Sequence, residues 1–153
     1  MIIHDFILVE LPAPSAKRLL LAGMNLLAEG AISATASGER LRLRIGPGGT
    51  DALAAKKVTL QIGEPVVDGD VTTLPVLWEA DRAYSLFPRM DGSLEIAPVG
   101  PQLAQLTFFG RYDAPLGRVG EGLDRFLLHR LAEQTVRAFL TDVGERITSL
   151  HKA

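Results

Sequence analysis

The sequence predicts an α+β fold in which a curved antiparallel sheet wraps around one long C-terminal helix. Segments that alternate between apolar and polar residues follow one another with only tight turns between them, which favours an antiparallel meander over repeated βαβ units. The chain then changes to a helical spacing of apolar residues from about residue 119 to 150. We therefore expect this helix to close over the sheet.

The N-terminal segment, residues 2–10, predicts the first strand. Phe6 and Leu8 share one face and Ile7 and Val9 share the other, and neither face is strongly polar. Because a strand without a polar face avoids water on both sides, we expect both faces to be covered. Two prolines, at positions 12 and 14, then end the strand.

Residues 15–36 predict two short helices rather than one. Ser15 follows the prolines and has the side chain of a preferred N-cap, which accepts a hydrogen bond from the first turn of a helix. Leu20, Met24 and Leu27 then share one helical face. Gly23 and Gly30 indicate a break or an end within this segment.

Further strands are predicted between residues 40 and 112. The dipeptides Asp68-Gly69 and Asp91-Gly92 are each predicted to form a hairpin turn. Pro75 lies inside a predicted strand, which indicates an edge position or a bulge, because proline has no N–H to donate to a sheet. The predicted strands span residues 40–45, 57–62, 71–80, 84–89, 93–97 and 103–112.

A glycine-rich segment, residues 46–49, follows the strand at 40–45. Such a segment can bind phosphate where it leads from a strand into a helix. No Lys followed by Ser or Thr comes after it, and no parallel βαβ unit surrounds it. We therefore interpret this segment as a plain loop.

The C-terminal helix is predicted to follow a turn at residues 112–117, in which Pro115 restricts the backbone. Residues at a spacing of four form two rows on different faces. Three i,i+4 ion pairs are predicted on the solvated side, namely Glu121 with Arg125, Glu133 with Arg137 and Asp142 with Arg146. The polar row is Glu121, Arg125, His129, Glu133, Arg137, Thr141, Glu145 and Ser149, and the mostly apolar row is Val119, Leu123, Leu127, Leu131, Thr135, Phe139, Val143 and Ile147.

Length and composition predict a single domain spanning residues 1–153. The net charge of −2 gives no basic field for nucleic acid, so we expect no nucleic-acid partner. The absence of cysteine is compatible with the cytoplasm, and the N-terminus lacks the basic region of a signal peptide. The most apolar run, residues 19–28, is too short to span a bilayer, so we expect a soluble, cytoplasmic protein without stable membrane insertion.

Four motifs in the second half resemble a known superfamily. They are Leu74-Pro75-Val76-Leu77-Trp78-Glu79-Ala80, Leu86-Phe87-Pro88, Gly110-Arg111-Tyr112-Asp113-Ala114-Pro115-Leu116-Gly117 and Asp124-Arg125-Phe126-Leu127-Leu128-His129-Arg130. With the element order β-α-α-β₆-α, they resemble the START-like (SRPBCC, helix-grip) superfamily, in an actinobacterial-type branch related to polyketide cyclases and lipid-transport proteins. The resemblance covers residues 56–150 and, for the first 55, only the order of elements. It implies a cavity between helix and sheet for sterols, lipids or polyketides, and no shared catalytic residue.

The candidate ligand-binding residues are side chains that would line such a cavity. Taken one at a time, the large apolar ones are as well explained by a packed core. The polar candidates come from a hairpin that also contains Glu79, Asp81 and Arg82, and a solvated hairpin is the simpler interpretation of that cluster. The predicted set is Trp78, Tyr84, Phe87, Arg89, Phe108, Tyr112, Leu123, Leu127 and Leu131.

No motif predicts a metal, a cofactor or a nucleophilic mechanism. His129 and Glu133 form only a pair on the polar row of the helix, and His4 and His151 lie near the chain ends. The sequence contains neither Gly-x-Ser-x-Gly nor His-Glu-x-x-His. We therefore predict no metal ion and no cofactor.

Three hypotheses for function remain open from the sequence. The first is binding of a hydrophobic or amphipathic small molecule in the cavity, and the second is a polyketide cyclase or aromatase that polarises a carbonyl with Arg89, Tyr84 or Tyr112. The third is an interaction module with a collapsed cavity, whose apolar helix face also serves a homodimer. An empty apolar void of ~400 Å³ would cost ~10 kcal/mol, so the interior is either filled or collapsed.

Overall fold

The computed structural model describes residues 2–22, 58–80, 89–112 and 125–153. Within these ranges the chain forms six strands and two helices. In chain order they are β1 (Ile2–Val9), α1 (Ala13–Ala22), β2 (Val58–Ile62), β3 (Val66–Asp68), β4 (Val71–Ala80), β5 (Met90–Gly100), β6 (Leu103–Tyr112) and α2 (Arg125–Lys152). The predicted strand at 40–45, the loop at 46–49, the second short helix and most of the strand at 84–89 lie outside the described residues.

The strands form one antiparallel sheet in the order β1-β6-β5-β4-β2, with β3 also paired to β4. Among the described strands, β1 therefore lies at one edge, beside β6. This arrangement confirms the predicted α+β fold with an antiparallel meander. Adjacent strands β4, β5 and β6 are joined in sequence order, so most of the sheet forms from contacts that are local in the chain.

Pro75 lies at a bulge, as its position in the sequence predicted. On the strand next to β4, the three residues 63–65 lie opposite the two residues 74 and 75, so one residue is left over between β2 and β3. The Gly63 N–H donates to the carbonyl of Pro75 at 2.9 Å. The ring nitrogen of Pro75 therefore faces the interruption, where the neighbouring strand does not need its missing N–H.

One of the two predicted hairpin turns is correct and the other is wrong. Asp68 pairs with Val71 across a two-residue turn in which Gly69 has φ of +60°, as the Asp-Gly signal predicted. Asp91 and Gly92 lie inside β5 instead, where they pair on both sides with β4 and β6. Gly92 is needed there for close packing rather than for a turn.

The N-terminal elements correct two further predictions. Helix α1 begins at Ala13, and its first intrahelical bond runs from the Ala16 N–H to the Pro12 carbonyl at 3.0 Å, so Ser15 lies within the first turn and is not the N-cap. Proline is tolerated in the first turn because its missing N–H would have no helical partner there. The outer face of β1 is not covered, since Phe6 and Leu8 are half exposed.

Helix α2 buries the face that its apolar row predicted. Thr135, Phe139, Val143 and Ile147 are all buried, together with Ala132, Val136 and Leu140 on the adjacent ridge. The Asp142–Arg146 ion pair is present at 2.6 Å. The predicted Glu133–Arg137 pair is wrong, because Arg137 reaches across to Asp5 of β1 and Glu133 instead contacts His129 at 2.9 Å.

The close contact between α2 and the sheet is at Gly144. A Cβ atom at this position would lie 2.5 Å from the terminal methyl carbon of Ile7 and 3.2 Å from a methyl of Val9. Glycine inside a helix is unfavourable by ~1 kcal/mol relative to alanine, and here it allows the helix to lie directly against β1. The helix also packs on β6 and α1.

A pair of glycines within the sheet provides space for an aromatic ring. Gly92 and Gly110 face each other across β5 and β6, and a Cβ at either would lie 2.8 Å from a ring carbon of Phe108 and 2.8 Å or less from backbone atoms. We predict that Gly92→Ala or Gly110→Ala lowers the free energy of unfolding by roughly 1–3 kcal/mol, because the added methyl overpacks the core. The measurement is urea unfolding of each variant.

The matched control is Gly100→Ala in the same strand. The nearest heavy atom to its added Cβ would be the Leu103 Cβ at 3.5 Å, an ordinary contact. This variant should stay within about 0.5 kcal/mol of the wild type. An equal loss of unfolding free energy in Gly92→Ala and Gly100→Ala would show that strand propensity, rather than overpacking against Phe108, explains the effect.

Candidate functional site

The candidate site is the face of the sheet that lies toward α2. Side chains alternate along each strand, so every second residue of β4, β5 and β6 points to this face. These side chains are almost fully buried, and all except Thr72 and Tyr112 are apolar. They are Thr72, Leu74, Val76, Met90, Leu94, Ile96, Leu106, Phe108 and Tyr112. The face therefore offers an apolar surface with a single phenol.

Phe108 forms the centre of this face. Its ring lies over the Gly92–Gly110 pair, and on its other side it meets the ring of Phe139 of α2 edge-on, with the centroids 6.3 Å apart. An aromatic pair in this arrangement adds ~0.5–1.5 kcal/mol to the free energy that burial itself contributes. Phe108 thus links the sheet to the helix.

Tyr112 supplies the phenol of the face, which also includes the buried hydroxyl of Thr72. It lies at the end of β6, is 1% exposed and pairs with Met90 of β5. Burial raises the pKa of its hydroxyl above the usual value, because the phenolate would lose its hydration. Near neutral pH this hydroxyl is therefore neutral, able to donate a hydrogen bond but unsuited to act as a base.

The structure places two of the nine predicted binding residues on the buried face. Phe108 and Tyr112 lie there side by side with the apolar set. Trp78 shares a rung of the sheet with Met90 and Tyr112, although its side chain is not described. Leu127 and Leu131 lie in α2, and their side chains are likewise outside the described part. Tyr84, Phe87 and Leu123 lie outside the described residues.

Arg89 has a different environment from Phe108 and Tyr112. It immediately precedes β5, and its side chain is exposed. The hypothesis that Arg89 polarises a carbonyl inside the cavity needs this side chain to turn inward. Among the described polar candidates, only Tyr112 is buried.

Three surface clefts lie at the margins of the sheet. A cleft of about 370 Å³ between β1 and α2 has a charged lining that includes Asp5, Arg130 and Arg137. A groove of about 640 Å³ lies further along the same two elements, and a third cleft of about 340 Å³ lies beside the start of α1. None of these three clefts is lined by any of the nine predicted residues.

The described histidines and carboxylates are not arranged as a metal site. No group of three or more potential ligands converges among the residues that the structure describes. His129 and Glu133 form an isolated surface pair, with Nε2 and Oε1 2.9 Å apart. Neither described helix is both long and apolar enough to span a bilayer.

The contact between Asp5 and Arg137 was missed by the sequence reasoning. The sequence pattern places Asp5 in an alternating strand and predicts a pair for Arg137 within its own helix. A charged residue within an apolar N-terminal strand was the available signal, since such a residue needs a partner when one face is packed. A second signal was Gly144, because a glycine in a helix interior often marks a close approach.

Comparison with known proteins supports the fold. No protein-family model and no curated protein matches the sequence. Among solved structures, a conserved protein from Geobacillus kaustophilus aligns with a TM-score of 0.61 and 14% identity, over 97% of this chain and 96% of that chain. A protein from Thermus thermophilus aligns with a TM-score of 0.54 and 15% identity, over 98% of this chain and 99% of that chain.

The described elements form one antiparallel sheet with a long C-terminal helix packed on it. The chain has the START-like helix-grip fold. A START superfamily protein from Mycobacterium smegmatis also matches over 97% of this chain and 98% of that chain, with 12% identity and a TM-score of 0.46. At these identities the likeness concerns the helix-grip fold alone, and it assigns no ligand or reaction to this chain.

Burial of Tyr112 predicts how stability changes at high pH. In the folded state the phenol stays protonated, whereas in the unfolded chain it loses its proton above about pH 10. The contribution of Tyr112 is therefore fully present below about pH 10 and decreases above it, by up to ~1.4 kcal/mol per pH unit. Tyr112→Phe should lack this part of the decrease in unfolding free energy at high pH.

The measurement is urea unfolding of both proteins between about pH 8 and pH 11, a range that brackets the ordinary tyrosine pKa. Tyr84 and the lysines are common to wild type and variant, so their titration cancels in the difference. A difference in unfolding free energy that does not change with pH would contradict the buried, neutral state of Tyr112.

Proposed function

We propose that the chain binds a hydrophobic or amphipathic small molecule, such as a lipid, a sterol or a polyketide-like compound, between α2 and the sheet. The observation that carries the proposal is the chemistry of the buried face. It combines a continuous apolar surface with one neutral phenol, Tyr112. This is the composition of small-molecule sites, in which apolar walls provide affinity and a few polar groups provide orientation.

The position of α2 adds support. The described part of this helix packs mainly on β1 and β6, at one side of the sheet. Leu74 and Val76 of β4 and Leu94 of β5 belong to the same apolar face but lie on strands further from that edge. These side chains are at most 2% exposed without a ligand, so a ligand would contact them in place of the groups that now cover them.

Tyr112 favours an amphipathic ligand over a plain hydrocarbon. A buried hydroxyl that stays protonated can donate to a carbonyl, hydroxyl or carboxylate oxygen. Such a bond in an apolar environment orients the ligand. We infer that the ligand places one oxygen near the end of β6.

A cyclase mechanism has less support than binding. It needs at least two polar side chains directed at the substrate, one to polarise a carbonyl and one to move a proton. Tyr112 could serve the first role. Arg89 is exposed, and Tyr84 lies outside the described residues. A helix-mediated homodimer has less support too, because the described apolar side chains of α2 are buried between Ala132 and Ile147.

The direct test is native mass spectrometry of gently purified protein, followed by titration with fatty acids, sterols and aromatic polyketides. Trp78 is the sole tryptophan and shares a rung with Tyr112, so its fluorescence reports on the proposed site. We expect a bound species or a saturable change in Trp78 emission with at least one ligand class. No bound species and no saturable change with any of them would reject the proposal.

Tyr112→Phe tests the role of the phenol. We predict that the variant binds ligands with a carbonyl or hydroxyl group roughly 2- to 10-fold more weakly, which corresponds to the loss of one neutral hydrogen bond. Its affinity for a hydrocarbon of equal size should be unchanged or higher. The measurement is fluorescence titration with each ligand pair.

Thr107→Val is the control for Tyr112→Phe. It removes a hydroxyl from the same strand but from the opposite face, where Thr107 accepts a hydrogen bond from Gln105 at 3.1 Å. This variant should bind both kinds of ligand as the wild type does. Equal weakening by both variants would indicate a general effect on β6 rather than a contact with the ligand.

A further inference from the structure

Strand β1 combines two features that favour pairing with another chain. It lies at the edge of the sheet, where among the described strands only β6 pairs with it. Its outer face is apolar and open, with Ile2 61%, Phe6 47% and Leu8 52% exposed. An edge strand with exposed apolar side chains is the usual site of strand-to-strand association.

At the middle of this edge, two charged side chains form hydrogen bonds with the backbone N–H and C=O groups of Phe6. The Phe6 N–H donates to Oδ1 of Asp5 at 2.8 Å, and the Phe6 carbonyl accepts from Nη1 of Arg137 at 3.2 Å. Nη2 of Arg137 donates to Oδ1 of Asp5 at 2.6 Å. We call this closed set of three contacts the edge cap.

The direction of these bonds shows which edge they cover. In an antiparallel pair, the N–H and C=O groups of alternate residues point toward the partner strand and away from it. The backbone N–H and C=O of Phe6 both form hydrogen bonds within the edge cap, so these two groups point away from β6. The backbone groups of His4 and Leu8, two residues to either side, therefore point to the same open edge. The cap divides this edge into two short stretches.

The stability of the ion pair itself does not explain the arrangement. Arg137 is 52% exposed and Asp5 is 20% exposed, so solvent screens most of their attraction. What the contact does is to fill the hydrogen-bonding positions at the centre of β1. A second strand could not form a continuous ladder there without displacing Arg137, which is fixed on α2 132 residues away in the chain.

We propose that the edge cap formed by Asp5 and Arg137 prevents β1 from pairing with β1 of a second copy of this chain. Two edge strands related by a twofold axis pair antiparallel, and their half-exposed Phe6 and Leu8 side chains would then lie on one continuous outer face. The cap blocks this association at its centre. This role is independent of any ligand on the opposite face.

The test compares Arg137→Ala and Asp5→Ala with the wild type by sedimentation equilibrium over a range of concentrations. Arg137→Ala removes both contacts of the guanidinium, whereas Asp5→Ala removes the acceptor of the Phe6 N–H and of Arg137. We expect the apparent mass of both variants to rise with concentration toward about twice that of wild type at the same concentration. Urea unfolding of each variant checks that the folded state is retained.

Arg146→Ala is the matched control, because Arg146 forms its 2.6 Å ion pair with Asp142 within α2. It should sediment as the wild type does. Hydrogen exchange locates the new contact, and the amides of His4, Phe6 and Leu8 should become protected in the associated variants. An unchanged mass in both cap variants, an equal rise in Arg146→Ala, or association without protection of these amides would overturn the proposal.

Discussion

The close approach of α2 to β1 is the constraint on which the rest of the structure depends. At Gly144 the helix lies against the side chains of Ile7 and Val9 with no room for a Cβ. With that contact made, Phe139, five residues earlier, meets Phe108, and Arg137 reaches Asp5. The missing side chain of Gly144 thus permits the helix position at which these pairs form.

The buried face of the sheet follows from the same packing. Phe108 can lie flat because Gly92 and Gly110 leave space beneath its ring, and Phe139 covers it from the helix. A low-dielectric environment results, and it keeps Tyr112 protonated by raising its pKa. Affinity for an apolar ligand and a single oriented hydrogen bond would therefore have one physical origin, the exclusion of water from this face.

The two faces of β1 differ in their exposure to solvent, and its edge is covered by Arg137. Ile3 and Val9 are buried in the core, whereas Phe6 and Leu8 remain half exposed on the outside. The helix that covers the inner face also supplies Arg137 to the edge. Core packing and protection of the edge strand are consequently coupled through α2, so a change in the position of the helix would affect both.

The amino-acid sequence by itself determined the periodic elements and the turn that depends on local chemistry. Alternation predicted β4 and β6 with the observed bounds, and Asp68-Gly69 predicted a hairpin because glycine accepts a positive φ. The same dipeptide at Asp91-Gly92 lies within a strand, and Arg137 forms its ion pair with Asp5 rather than with Glu133. Only the tertiary structure decided these two, because an aromatic ring above a glycine and a carboxylate 132 residues away act through space rather than along the chain.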